Sequence, residues 1–315
     1  MAAKLFIIFG LCLFAIAVTT LLKARANEAR ALAAYPPEGQ IIDVDGHKMH
    51  VVQRGSGPDL VLIHGSSGST RDFTFALVDR LAADFRVIVI DRPGLGYSEP
   101  LKNATLQRQA ALLQKTAAQL GANTPIVMGQ SYGGSVALAW AAHHPENIAA
   151  LVPIATPSLP WTTGLSTFYK LTSHPIMGPL VIPLLTAWVP ESRVNAEVES
   201  VFTPQSAPLG YAQHFGPGLT LRRVSLRANA LQRAGLLQEI TALSTQYADL
   251  QTPTELVHGD ADTTVGLEIH SRPLQQTLPN AHLTVLPGIG HMPHHSAQTE
   301  IVAAIHRAAA RRPLH

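Results

Sequence analysis

The chain has 315 residues, room for one large α/β domain or two smaller ones, and it carries no internal repeat. Hydrophobic residues make up 46% and charged residues 14% of it, against about 25% charged in an average soluble domain. A net charge of +2 with no basic stripe and no zinc-finger spacing excludes a nucleic-acid surface, and the lone Cys12 excludes an intrachain disulfide framework.

The apolar excess starts at the N-terminus. Leu5 to Leu22 is interrupted only by Gly10, Cys12, Thr19 and Thr20, with Lys4 before it and Lys23, Arg25 and Arg30 after it. A helix over residues 5–22 spans roughly 27 Å at ~1.5 Å per residue, about one hydrocarbon core. Secretory signals usually have shorter apolar cores, so the length favours an uncleaved single-pass anchor. Ala24-Arg25-Ala26 keeps open cleavage near Ala26 and a secreted or periplasmic product. Phe9-Gly10-Leu11 ahead of Cys12 is a poor lipoprotein cleavage box. Positive charge on both flanks leaves the membrane side undecided. Residues 1–26 are thus expected to form the anchor or signal segment and residues 27–39 a linker.

Residues 40–46 and 47–52 predict two strands joined at Asp45-Gly46. Leu60-Val61-Leu62-Ile63 is a fully apolar run of interior-strand type, ending in His64-Gly65-Ser66-Ser67-Gly68. Phe73, Leu77 and Leu81 share a helical face. Residues 86–91 predict the next strand, ending in Arg92-Pro93-Gly94-Leu95-Gly96-Tyr97-Ser98. Thr105 can cap a helix that stops at Gly121.

Pro125-Ile126-Val127-Met128 reads as a buried strand and Gly134 to Ala142 as a small-residue helix. Between them stands Gly129-Gln130-Ser131-Tyr132-Gly133. Strand, G-x-S-x-G, helix is the pattern of a nucleophile elbow, which exposes the serine hydroxyl at the end of the strand. Residues 148–155 predict another strand, weakened by Pro153. From about 158 to 252 the strand rhythm stops and prolines recur. An inserted helical cap is expected over about 158–218, followed by helices returning to the sheet. Within it Ile176 to Val189 is very apolar, interrupted by Pro179 and Pro183 and too short to span a bilayer. Cap core, pocket lining and membrane contact are its three readings.

The sheet resumes at residues 253–257, ending in His258-Gly259-Asp260-Ala261-Asp262. A last strand over 282–286 ends in Pro287-Gly288-Ile289-Gly290-His291, and a helix from Ser296 to about Ala310 closes the chain. Alternating strands and helices predict an α/β fold with a mostly parallel central sheet and helices on both faces. Its functional groups gather at the carboxyl ends of the strands.

Serine, acid and histidine now stand just past strands in the order Ser131, Asp262, His291, the order of this elbow type. With the His-Gly loop, Asp91-Arg92-Pro93-Gly94-Leu95-Gly96-Tyr97-Ser98, the elbow, His258 to Asp262 and Gly288 to His291, the sequence resembles the α/β-hydrolase fold superfamily over roughly residues 40–310. The hydrolase domain is then 40–315. In this reading Ser131 is the nucleophile and His291 its base. Asp262 holds the imidazole, with Asp260 as the rival acid. The Tyr132 amide is one oxyanion donor. The resemblance puts the other at the Ser66 amide. It also treats His64 as a structural histidine of that loop, with Asp91 and Arg92 organising the neighbouring one. His143 and His144 sit at a helix end, where a cationic or capping role suffices.

The resemblance also bears on the reaction. Related haloalkane dehalogenases and epoxide hydrolases attack with aspartate where this chain has Ser131. Hydrolysis of a carboxylic ester, thioester or lipid ester is expected, with a cofactor-free C–C hydrolase or a non-enzymatic binding protein as alternatives. No cofactor is implied. His291-x-x-His294-His295 has no carboxylate or cysteine beside it in sequence, and Pro293 breaks a helical presentation, so no metal is expected. The expected partners are a small-molecule or lipid ester and the membrane, through residues 5–22.

Overall fold

A computed structural model describes residues 1–311. Its centre is an eight-stranded sheet in the order β1-β2-β4-β3-β5-β6-β7-β8. The strands are β1 (Gln40–Val44), β2 (His47–Arg54), β3 (Asp59–Ile63), β4 (Arg86–Ile90), β5 (Ile126–Gln130), β6 (Ala150–Ile154), β7 (Thr254–Gly259) and β8 (Ala281–Leu286). β1 and β2 are antiparallel, and β2 is antiparallel to β4. From β4 to β8 every pairing is parallel. The β1–β2 turn uses positive φ at Asp45 and Gly46, 52° and 80°, the signature of a type I′ hairpin.

Helix α1 (Ala2–Ala34) precedes the sheet. The helices α2 (Arg71–Thr74) and α3 (Leu77–Leu81) follow β3, and α4 (Leu106–Gln119) and α5 (Tyr132–His143) flank β5. Thr105 caps α4, its hydroxyl accepting from the Arg108 amide at 3.2 Å. Beyond β6 come α6 (Thr167–Ser173), α7 (Met177–Trp188), α8 (Glu191–Ser200), α9 (Tyr211–Phe215) and α10 (Pro217–Thr220). The long α11 (Arg223–Leu243) leads back to the sheet, and α12 (Ser271–Thr277), α13 (Pro293–Ser296) and α14 (Gln298–Arg311) complete the fold.

The apolar strands are buried on both faces, so neighbouring residues serve different cores. Val61, Ile63, Ile88, Ile90 and Val127 pack with Leu113 of α4 and Trp140 of α5. Leu60, Leu62, Val87, Val89, Ile126 and Met128 pack with Ile301 and Ile305 of α14. β3 to β5 are therefore held rigidly, and the loops at their carboxyl ends inherit that rigidity.

Three expectations are corrected, and a fourth, the weakening of a strand by Pro153, holds. The chain from Asn27 is not a linker at first, because α1 stays helical to Ala34. There it packs on the cap: the Asn27 amide donates to the Thr186 and Ala187 carbonyls, and Glu28 forks onto Arg223 at 2.7 and 2.9 Å. Phe73 and Leu77 lie on two short helices, not one. Pro179 and Pro183 do not interrupt α7: Pro179 sits in the first turn, where an N–H has no intrahelical partner, and Pro183 stands inside the helix, which continues at the loss of one intrahelical hydrogen bond. Pro153 does lie in β6, opposite Gly129. Leu151 and Ala155 donate towards the β7 side, so the missing Pro153 N–H leaves a gap there, and only two register pairs join β6 to β7.

Candidate active site

β5 ends at Gln130, and Ser131 caps α5 with φ 51° and ψ −122°. A left-handed φ on a non-glycine residue is strained and persists only where its surroundings over-determine it. Here the Ser131 amide donates to the Ile154 carbonyl at 2.8 Å, and the turn is clamped from below. A Cβ on Gly133 would stand 2.1 Å from the Ile63 carbonyl oxygen, and one on Gly129 2.3 Å from that of Gly133. Only glycine lets the helix start so close to β3, and that approach pushes the serine side chain out at the sheet edge.

Two other loops meet it. His291 Nε2 lies 3.1 Å from Ser131 Oγ, and His291 Nδ1 lies 2.7 Å from Asp262 Oδ2. The His291 loop is pinned to its neighbours. The Gln130 side chain donates to the His291 carbonyl at 3.2 Å, and the Ala261 amide donates to the Ile289 carbonyl at 3.0 Å. Asp262 Oδ1 accepts from the Thr264 and Val265 amides at 2.8 and 2.9 Å, and Oδ2 also faces His258 Nε2 at 3.2 Å. Burial pushes the Asp262 carboxyl up, but the hydrogen bonds from His258 and His291 outweigh it and hold the group well below the usual carboxylate range. An ionised, oriented carboxylate makes Nδ1 of His291 the donor and leaves Nε2 free to take the serine proton. Asp260, the rival acid, is exposed and accepts from the Gly288 amide at 2.6 Å, away from His291.

The loop carrying Ser66 lies against the elbow, since a Cβ on Gly65 would be 3.3 Å from Ser131 Cβ. Among the described residues neither the Ser66 nor the Tyr132 amide has a hydrogen-bond acceptor. Arg92 holds this loop from beneath. It donates to the His64 carbonyl at 2.9 Å and the Gly65 carbonyl at 2.8 Å, and its guanidinium lies 4.2 Å from the Tyr132 ring centroid. Burial brings its pKa down to about 10, so it stays a cation. His64 Nε2 accepts from the Arg92 amide at 2.9 Å, and burial, aided by Arg92, lowers its pKa to about 4. It is neutral and structural. Asp91 accepts from His50, Thr70 and Tyr97. His143 ends α5 and His144 follows as its C-cap residue, both half-buried and outside the site.

His294 and His295 face Asp72, which completes a histidine–histidine–carboxylate cluster invisible in the linear spacing. Asp72 accepts from Tyr211 at 2.6 Å as well as lying 3.2 and 2.9 Å from the two imidazoles. These bonds tie α2, the cap helix α9 and α13 together. His258, Gln130, Asp72 and Asn229 were not singled out by sequence. His258 stood inside a quoted motif and Gln130 beside the serine, whereas Asp72 and Asn229 carry no local signal. Asn229 of α11 accepts from the Ser67 amide at 2.9 Å and donates to the Ser67 hydroxyl at 2.8 Å, linking the loop to the helix behind the cap.

Ser67, Leu95, Phe215 and Leu219 line a narrow pocket between this loop and the cap. A larger cavity of about 360 Å³ lies elsewhere, between α1 and the cap, and no residue of the serine–histidine–aspartate cluster lines it.

The eight-stranded sheet, with a strained serine turn between β5 and α5, defines the class as an alpha/beta hydrolase fold. The family model for the alpha/beta hydrolase fold matches residues 58–298, and the chain belongs to that family. It is 28% identical to a 2-hydroxymuconate semialdehyde hydrolase of Pseudomonas putida over 262 residues, covering 81% of this chain and 88% of the relative. Identity to haloalkane dehalogenase 2 of Mycobacterium tuberculosis is 28% over 288 residues, covering 86% and 94%. A shorter stretch of 132 residues, 34% identical, matches the acetyltransferase component of an acetoin cleaving system in Cupriavidus necator, spanning 41% of this chain and about a third, 34%, of that protein. The fold is also that of a bacterial membrane phospholipase A, at TM-score 0.65 and 22% identity over 98% of both chains.

Proposed function

We propose that this protein is a serine ester hydrolase that forms an acyl-enzyme on Ser131. The observation that carries the reading is the continuous chain of contacts from Ser131 Oγ through His291 to Asp262, at 3.1 and 2.7 Å. In the first step Ser131 Oγ attacks the ester carbonyl and its proton passes to His291 Nε2. Asp262 stabilises the imidazolium so formed without taking the proton. The carbonyl oxygen becomes an oxyanion, received by the amides of Ser66 and Tyr132, and one such donor is worth about 10²–10³ in rate. Collapse expels the alcohol, which leaves with the proton from His291. Water then repeats the sequence on the acyl-serine, returning the acid and the free hydroxyl.

A serine at the elbow separates this chain from dehalogenases of the fold, whose attacking group is an aspartate. The Pseudomonas putida relative favours a second reading, hydrolysis of a carbon–carbon bond by the same residues. α1 is long and apolar enough to cross a membrane, and residues 5–22 serve as an uncleaved anchor for the hydrolase domain, with residues 158–218 as its cap.

A fluorophosphonate probe and a graded series of p-nitrophenyl esters test this reading. Ser131→Ala is expected to abolish both labelling and turnover. Labelling that survives Ser131→Ala contradicts it, and turnover of a dienol diketone without ester turnover selects the second reading.

A further inference from the structure

Cap helix α7 exposes an apolar stripe. Ile176, Leu180, Leu184 and Trp188 recur every fourth residue and are 69%, 61%, 46% and 51% exposed. That spacing puts them on one face over about 18 Å of helix. The opposite face, Ile182 and Thr186, is buried, with the Thr186 carbonyl accepting from Asn27 of α1 and its hydroxyl donating to the Leu221 carbonyl. α7 contains no charged residue. A run of large side chains of this size left in water costs solubility and marks a surface with an apolar partner.

The stripe has a fixed relation to α1. Trp188 ends it, and its indole N–H donates to the Thr20 hydroxyl at 3.1 Å, within the last turn of the 5–22 segment. Lys23, one turn on, places its ammonium 3.8 Å from the Trp188 ring centroid. An indole and a lysine at the end of an apolar span are the residues that settle at the headgroup boundary. Asn27 donates to the Thr186 and Ala187 carbonyls, so the junction is a hydrogen-bonded joint. The C-terminal end of the α7 stripe therefore meets α1 where the apolar 5–22 segment ends.

We propose that α7 lies in the surface of the bilayer, with Ile176, Leu180, Leu184 and Trp188 reaching towards the acyl chains, so that α1 and the cap hold the hydrolase domain on the membrane at two points. The inference rests on the anchor reading of residues 5–22. Continuity with that segment, and the Lys23–Trp188 pair at the boundary, identify the occupant as lipid. A second copy of the chain could cover the same stripe, and the experiment separates the two.

The full chain is reconstituted in phosphatidylcholine–phosphatidylglycerol vesicles with an environment-sensitive fluorophore on one cysteine, and lipids carrying a nitroxide quencher are added. The native Cys12 reports α1. Leu180→Cys and Arg193→Cys, each in a Cys12→Ser background, report the stripe and the exposed face of α8. The expected result is a blue-shifted, strongly lipid-quenched signal at positions 12 and 180 and a water-like, unquenched one at 193. Quenching at 12 without quenching at 180 overturns the inference and leaves the anchor standing. A blue shift at 180 that ignores the lipid quencher and disappears when protein is diluted in the vesicles assigns the stripe to a second copy. A water-like signal at 12 removes the anchor and this inference together.

Discussion

Asp262 faces two histidines at once: His291 at 2.7 Å and His258 at 3.2 Å. His258 is wholly buried, lies 2.7 Å from the Ser271 hydroxyl and donates Nε2–H to the Val265 carbonyl at 2.8 Å as well as facing Asp262. In the proposed mechanism it is a positioning residue, acting on Asp262 rather than on substrate. His258→Phe removes a hydrogen bond from the carboxylate and leaves buried acceptors unpaired, a loss of about 1–3 kcal/mol in stability. Turnover is expected to fall, and the acid limb of its pH profile to move up as the Asp262 carboxyl regains basicity. Urea melts and a kcat–pH series check both. An unmoved acid limb at reduced stability assigns His258 a purely structural role.

In the proposed mechanism Asn229 steadies the loop that carries the Ser66 amide, at a distance from the chemistry. With Asn229→Ala the Ser67 amide loses its acceptor and the loop its tie to α11. The Ser66 amide is then less well aimed but still present, and kcat is expected to drop by about tenfold, short of the ~10²–10³ of losing an oxyanion donor outright, with KM nearly unchanged. Steady-state kinetics on one p-nitrophenyl ester measure the split. A change confined to KM places Asn229 in substrate binding instead.

Gly133→Ala drives a methyl group to within 2.1 Å of the Ile63 carbonyl oxygen, a contact backbone cannot yield without shifting β3. A loss of several kcal/mol, or insoluble protein, is expected, because overpacking against main chain exceeds the usual ~1–3 kcal/mol of a crowded core. Gly164→Ala is the control, since a Cβ there meets nothing within 4 Å. Thermal melts of the two variants side by side decide it.

Three buried histidines, His64, His270 and His294, have pKa values lowered to about 4, chiefly by burial. They are neutral when folded and take up protons near pH 6.5 when unfolded, so the unfolded state binds more protons between pH 6.5 and 4. Stability is therefore full above that window and falls as pH drops through it. Asp72 and Asp91, whose carboxyls are held low by their histidine partners against the effect of burial, add their loss only below about pH 4, near the unfolded carboxylate value. Urea denaturation from pH 7 to 4 is expected to show a falling midpoint across the whole range. A flat midpoint down to pH 4 contradicts the buried-neutral assignment.

Much of this arrangement was legible in the sequence because it is local. The strands β3, β4 and β5 are short apolar runs closed by glycine-rich turns, and the elbow needs glycines at fixed offsets from Ser131. Pairings between distant segments were not legible. Asp72 meets His294 and His295 across more than two hundred residues, and Asn229 reaches Ser67 from 162 residues away. The length of α1 was misjudged beyond Asn27 because Glu28 and Ala31 are stabilised by the cap, through Arg223 and Gly218, and tertiary contact decides where a helix stops. Proline was over-weighted in α7 and rightly weighed in β6, where its missing N–H thins the ladder to β7.

The most direct test of the central claim is an acid-quenched reaction with a p-nitrophenyl ester, followed by mass spectrometry of the digested protein. The account predicts an acyl group on the peptide carrying Ser131, formed in step with a burst of nitrophenol and absent from Ser131→Ala. Ester turnover with no acyl peptide, or an acyl group on a different residue while Ser131→Ala stays active, contradicts it.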